Sequence, residues 1–173
     1  MKNKIIILVI GFLLGFISKE TNLFMFSKSQ DVPVNGYNNE ATISKSLPTR
    51  IIIPSVSIDT SVKKALIIRG YWQVFPDSAA WGEQSGVPGQ IGNQVIFAHK
   101  RSGLFLPLLD IKIGAKIYVL TDDKSYAYEV REIKDVKPNQ IEVVAPTTDE
   151  TLTLYTCTGF GDIERLIVVA KRI

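Results

Sequence analysis

The chain holds one histidine and one cysteine, and each closes a run of strand-forming residues. His99 ends Gln94-Val95-Ile96-Phe97-Ala98-His99, and Cys157 ends Leu152-Thr153-Leu154-Tyr155-Thr156-Cys157. Eight residues beyond the cysteine, Arg165 opens a third run, Arg165-Leu166-Ile167-Val168-Val169-Ala170. A thiol, an imidazole and a guanidinium supply a nucleophile, a proton carrier and an oxyanion partner, the set needed for acyl transfer through a thioester. The thiol needs help: with a free pKa near 8.5, a cysteine is only ~3% thiolate at pH 7. A cationic neighbour raises that fraction, and His99 and Arg165 are the candidates.

Spacing constrains the geometry in part. Cys157 and Arg165 bracket a seven-residue connection, Thr158 to Glu164. If the two runs pair antiparallel, thiol and guanidinium meet at one end of the sheet. His99 joins them only through a long-range pairing, which spacing does not supply. Position alone leaves a bland reading open for each residue. A lone strand cysteine is commonly a small buried hydrophobe, a lone histidine a satisfied or surface residue, and an arginine at a strand start a solvated one. A zinc site is disfavoured, since one histidine and one cysteine cannot provide three or four N/S ligands.

The elements that must carry these residues are mostly short strands. Arg50-Ile51-Ile52-Ile53 runs into Pro54, which ends the strand or sets it on an edge. Ser57 to Val62 alternates imperfectly, and Lys64 to Ile68 and Tyr71 to Phe75 flank an Arg69-Gly70 turn. Asp77 to Trp81 reads as a helical turn, with Asp77 or Ser78 as cap before Ala79-Ala80. Gly86 to Asn93 is a dense loop, and Gly103 to Asp110 a short helix limited by Pro107. Lys116 to Leu120 and Ser125 to Ile133 form a hairpin around Asp122-Asp123-Lys124, and Ile141 to Val144 is a further strand. About eight short strands with little helix predict an all-β closed barrel or a sandwich.

The N-terminal segment has a different character. Met1-Lys2-Asn3-Lys4 is basic and Ile5 to Ile17 is an uninterrupted apolar run of thirteen residues. As a helix that run covers only ~20 Å against a hydrocarbon thickness of ~30 Å; Leu23-Phe24-Met25-Phe26 can complete the span. The only nearby small-x-small triplet, Ser27-Lys28-Ser29, is far from the run for a cleavage site. We therefore expect an uncleaved signal anchor over residues 1–26, a Ser/Asn/Asp/Thr-rich linker over 27–48 and a catalytic domain over 49–173. Lys2 and Lys4 keep the N-terminus cytoplasmic and the domain outside.

Composition narrows the class. Hydrophobic residues make up 46% and charged residues 21%, as in a globular domain. The net charge of +3, without a basic cluster interleaved with aromatics, argues against nucleic acid. A single cysteine excludes an intrachain disulfide.

Thr151-Leu152-Thr153-Leu154-Tyr155-Thr156-Cys157, followed by Arg165-Leu166-Ile167-Val168, resembles the signature strands of the sortases, membrane-anchored cysteine transpeptidases. Trp81, Pro88-Gly89, Gly92-Asn93 and Val95 to His99 resemble the family's histidine region, and Arg50 to Pro54 and Phe105 to Gly114 match flanking segments. The likeness covers about Thr49 to Ile173.

It implies an eight-stranded β-barrel and a two-step reaction on an LPxTG-like C-terminal sorting signal cut after Thr. In that reaction Cys157 attacks the carbonyl, His99 shuttles the proton and Arg165 steadies the oxyanion. Thr156 matches the threonine before the cysteine and implies a hydrogen bond to substrate, with an ordinary strand threonine as the alternative. The implied partners are surface proteins bearing the signal, and an amine from peptidoglycan or from a pilin-like lysine.

The chain stops after its last strand without an apolar tail, lacks an Asp-Pro-aromatic lid motif, and is short between Lys134 and Glu150. These features favour a class A, D, E or F pattern over class B or the pilus-polymerising class C. No cofactor is expected. Asp122-Asp123 and Asp149-Glu150 are acidic pairs of the kind that bind calcium in some relatives, but we expect them to be solvated. Two other functions use the same residues: an endopeptidase that hydrolyses its acyl-enzyme, and a silent surface barrel that only binds peptides.

Overall fold

In a computed structural model, residues 47–173 are described. The expected anchor at 1–26 and the linker as far as residue 46 lie outside the described residues. Among the described residues no helix is long and apolar enough to cross a membrane.

Alternating burial along short strands sets the architecture. The strands are β1 (Arg50–Ile53), β2 (Ile58–Ala65), β3 (Ile67–Ile68), β4 (Tyr71–Trp72), β5 (Ala79–Gly82), β6 (Gly92–Phe97), β7 (Lys116–Leu120), β8 (Ser125–Val136), β9 (Glu150–Thr158) and β10 (Glu164–Arg172). Eight of them close into a barrel in the order β1-β2-β5-β6-β9-β10-β8-β7, with β7 paired back to β1. Closure removes the exposed sheet edges and excludes the sandwich. Only β2–β5 and β6–β9 pair in parallel. The remaining pair, β3–β4, is a small separate hairpin. Its turn places Arg69 and Gly70 at φ 53° and 83°, the left-handed region that Gly70 tolerates without strain.

The barrel interior is filled from every strand of the wall. Ile51, Ile53, Ile58, Ile96, Ile117, Val119, Tyr128, Leu152, Leu154 and Val168 belong to one buried cluster. A second, smaller cluster forms on the outer face, from Ala65, Ala80, Val95 and Phe97 with Trp72, Phe75, Val144 and Tyr155 against them. This explains why β6 and β9 are apolar on both faces: one lines the interior and the other floors an external groove.

Several local expectations change. Asp77 to Trp81 is not a helical turn, because Ala79–Gly82 is a strand paired with β2 along one edge, while Ala80 and Trp81 pair with β6 along the other. Ladder bonds to two neighbours and complete burial of both alanines outweigh alanine's helix preference. Ile141–Val144 is a 3-10 turn rather than a strand, with the Asn93 amide donating to the carbonyls of Val143 (3.3 Å) and Ala145 (3.0 Å). The helix expected over Gly103 to Asp110 is a 3-10 turn at Leu106–Asp110, with Pro107 in its first turn. The long strand β8 runs past Ile133 to Val136 because β10 pairs with it all the way from Arg165 to Arg172, around one bulge.

Candidate active site

Strand register brings the three reactive residues together. Cys157 is the direct antiparallel partner of Arg165, so their Cα atoms stand only ~4.5–5.5 Å apart and their side chains share a face. On the other edge of β9, β6 runs parallel with Phe97 opposite Tyr155. The ladder continues one step further, since the Ala98 amide donates to the Tyr155 carbonyl (3.4 Å) and the Thr156 hydroxyl donates to the Ala98 carbonyl (2.9 Å). The next residues in step are His99 and Cys157. The cysteine thus sits on the middle strand, with the histidine strand on one side and the arginine strand on the other.

The face matters as much as the order. Leu152 and Leu154 point into the barrel, so by alternation Thr153, Tyr155 and Cys157 point outward. All three reactive residues line one groove of about 770 Å³ on the outside of the wall. Phe97 and Tyr155 form part of its floor, stacked with ring centroids 4.8 Å apart, and Trp72 stacks on Phe97 at 5.7 Å. The β3–β4 hairpin supplies one wall through Ile67, Tyr71 and Trp72. The segment between β8 and β9 supplies the other through Pro138, Ile141, Val143 and Pro146. Cys157 is free and half-buried, and His99 is exposed.

Arg165 is already held. Its Nη1 donates to the carbonyls of Asp162 (2.9 Å) and Glu164 (2.8 Å), both at the end of the β9–β10 connection. Burial pushes the Tyr155 phenol well above its ordinary range, and Cys157 adds to this while Arg165 opposes it. Tyr155 therefore remains neutral beside the thiol at physiological pH and offers a ring face rather than a charge.

Thr156 is buried, with its hydroxyl committed to Ala98. The sequence reading missed Trp72, Phe97 and Tyr155 as groove formers, although their aromatic character at strand positions was a signal. It also missed Lys100, which pairs with Asp162; a lysine following a histidine carries no signal of its own. Among the described residues no group of three His, Cys, Asp or Glu side chains lies close enough to hold a metal ion.

A sortase-domain family model matches residues 51–173, the whole barrel apart from its first residue and the three residues leading into it. The chain belongs to the sortase family. Its sequence is 30% identical over 154 residues to sortase A of Bacillus anthracis, covering 87% of this chain and 71% of that relative. Among solved structures, a lid mutant of sortase A from Corynebacterium diphtheriae superposes with a TM-score of 0.65 at 26% identity, over 73% of this chain and 70% of that one. A sortase C from Clostridium perfringens gives 0.61 at 26% identity, with the same coverages. This sortase barrel is therefore similar to members of more than one class.

Proposed function

We propose that this sortase is a cell-surface transpeptidase that cleaves an LPxTG-like sorting signal and transfers the acyl fragment to an amine. The observation that carries the reading is the register placing Cys157 between His99 and Arg165 in one external groove. The Cys157 sulfur attacks the scissile carbonyl carbon, and the charge that develops on oxygen is met by the Arg165 guanidinium. As the C–N bond breaks, His99 gives its proton to the leaving amine and a thioester remains. The acceptor amine then attacks the thioester carbon, His99 takes its proton, and the sulfur leaves. An external groove suits this substrate, because a peptide tethered to a folded protein can lie along a wall but cannot enter a packed barrel.

The N-terminal apolar run supports an anchored enzyme with its domain outside the membrane, near substrates delivered at that surface. The acceptor is an amine of peptidoglycan or a pilin-like lysine. The short interval before β9 argues against class B and the lack of an Asp-Pro-aromatic lid motif against class C, which favours a class A, D, E or F enzyme.

The test is incubation of the full chain with an LPxTG-like peptide, with and without an amine nucleophile, followed by mass spectrometry of enzyme and products. A thioester on Cys157 and an amide product are expected, and both vanish in Cys157→Ala. Free acid as the sole product in the presence of amine would make the enzyme a peptidase. Retained cleavage in Cys157→Ala would remove the cysteine mechanism.

A further inference from the structure

Asp162 touches both sides of the reactive cluster, and it does so through different atoms. Its carboxylate forms an ion pair with Lys100, the residue directly after His99. Its carbonyl accepts from Arg165 Nη1 at 2.9 Å. The residue also stands at φ 61°, directly after Gly161 at φ 66° and three residues after Gly159 at φ 74°. A non-glycine residue is uncommon in that region, though aspartate tolerates it better than most, and contacts from its surroundings help to hold it there. Two contacts hold this one from outside its own turn: Lys100 and Arg165.

The geometry points to Lys100 and Asp162 as positioning residues that act together as a clasp for Arg165. Lys100 fixes the carboxylate of Asp162, this fixes the backbone turn, and the turn presents the Asp162 carbonyl to the guanidinium alongside the Glu164 carbonyl. Glu164 is itself anchored from a third element, by an ion pair of its carboxylate with Lys137 at 2.8 Å. The arginine is therefore preset before substrate arrives, and little side-chain entropy remains to be lost as charge develops on the scissile oxygen. Because Lys100 follows His99 directly, the same ion pair ties the histidine end of β6 to the loop beyond the cysteine. The Lys100 side chain is 25% exposed and that of Asp162 52%, so the pair is screened only in part. The role in catalysis rests on the transpeptidase reading above; the mechanical role does not.

The experiment uses the full chain and the variants Lys100→Gln, Lys100→Arg and Asp162→Asn; asparagine keeps the tolerance for positive φ while removing the charge. Two measurements are made on each: kcat and KM for amine-dependent transfer, and the 15N NMR signals of the Arg165 guanidinium, assigned with Arg165→Lys. Restricted, separate Nη signals are expected in the wild type and in Lys100→Arg, collapsing toward one averaged signal in Lys100→Gln and Asp162→Asn. The last two should also lose about three- to fivefold in kcat with KM little changed, the size set by one partly exposed ion pair. Unchanged Arg165 signals in Lys100→Gln overturn the clasp, and altered signals with unchanged kcat overturn its part in catalysis. A wild type without turnover, whose Arg165 signals still depend on Lys100, would mean that the transpeptidase reading fails and the clasp stands.

Discussion

The Thr156 hydroxyl donates to the Ala98 carbonyl at 2.9 Å, joining the residue before the cysteine to the residue before the histidine. Both groups are buried, with Thr156 at 1% exposure and Ala98 at 6%. The parallel β6–β9 ladder ends here, and this side-chain bond extends it to the level of the reactive pair. Thr156→Val keeps the shape and deletes the donor, leaving the Ala98 carbonyl without this partner. The expected loss of stability is about 1–3 kcal/mol, read as a lower urea midpoint. Turnover should fall about tenfold as the end of β6 loosens beside His99. Thr156→Ser retains the hydroxyl and should stay near the wild type in both measurements. A fully active Thr156→Val would show that His99 is aligned by other contacts.

Arg165 tests whether geometry or charge alone is required. Its guanidinium donates to the carbonyls of Asp162 and Glu164 and still faces the groove. A lysine has the charge but not the planar fork of donors, so it cannot grip the loop and face the oxyanion together. Arg165→Ala should lower kcat by about 10²–10³-fold, the range for loss of one oxyanion donor, and Arg165→Lys should recover little of it. Single-turnover formation of the Cys157 thioester is the measurement. Near-complete recovery by lysine would reduce the role of Arg165 to a point charge.

The parts of the site legible in the sequence were those set by local connection. Cys157 and Arg165 are joined by seven residues between two apolar runs, and they pair antiparallel as that spacing suggests. His99 enters through a parallel ladder whose strands lie more than fifty residues apart in sequence, and no turn announces such a pairing. Ile141 to Val144 shows the same limit from the other side. Its composition favours a strand, but the Asn93 side chain draws the carbonyls of Val143 and Ala145 into a 3-10 turn. Ala79–Gly82 gave no strand signal either, because alanines carry little preference until two neighbouring strands surround them. The groove was invisible for a related reason: its walls come from β3–β4 and from the segment before β9, and each was readable only as an isolated piece.

Titration should weaken the fold at both ends of the pH scale. Hydrogen bonds from lysine or arginine partners hold Asp59, Asp77, Glu83, Glu129 and Asp149 below the usual carboxylate range. Groups with lowered folded values contribute stability that is complete above the ordinary carboxylate pKa of ~4 and is lost as pH falls through the folded values. These pairs are exposed or, at Glu83 and Glu129, half-exposed, so the acid loss should be shallow and should shrink in high salt. Burial moves the Tyr128 phenol the other way, far above its ordinary value, with its hydroxyl donating to Glu150 at 2.7 Å. A raised phenol contributes stability that is complete below ~10 and lost as pH rises beyond it, since the unfolded chain then releases a proton the folded one keeps. Urea midpoints from pH 3 to 11 should form a plateau with two falling shoulders. Tyr128→Phe should remove part of the alkaline shoulder, leaving the part that the likewise raised Tyr155 phenol supplies, and cost about 1–2 kcal/mol at neutral pH through the lost hydrogen bond.

Gly82 offers a way to disturb the groove without touching the reactive residues. A Cβ at Gly82 would lie 2.6–2.9 Å from three atoms of the Trp72 indole. The ring is confined there by its stack on Phe97 and by its Nε1 donating to the Glu83 carbonyl at 3.0 Å. In Gly82→Ala the indole must move, and with it the wall contributed by β4. Overpacking of this kind costs about 1–3 kcal/mol. The consequence for function should be selective. KM for an LPxTG-like peptide should rise about three- to tenfold while kcat changes little, because Cys157, His99 and Arg165 keep their supports. Tryptophan emission should shift to the red as Trp72 gains solvent, while Trp81, buried in the barrel at 5% exposure, does not contribute to the shift. A drop in kcat at constant KM would mean that Trp72 steadies the reactive end of the groove rather than its substrate-binding wall.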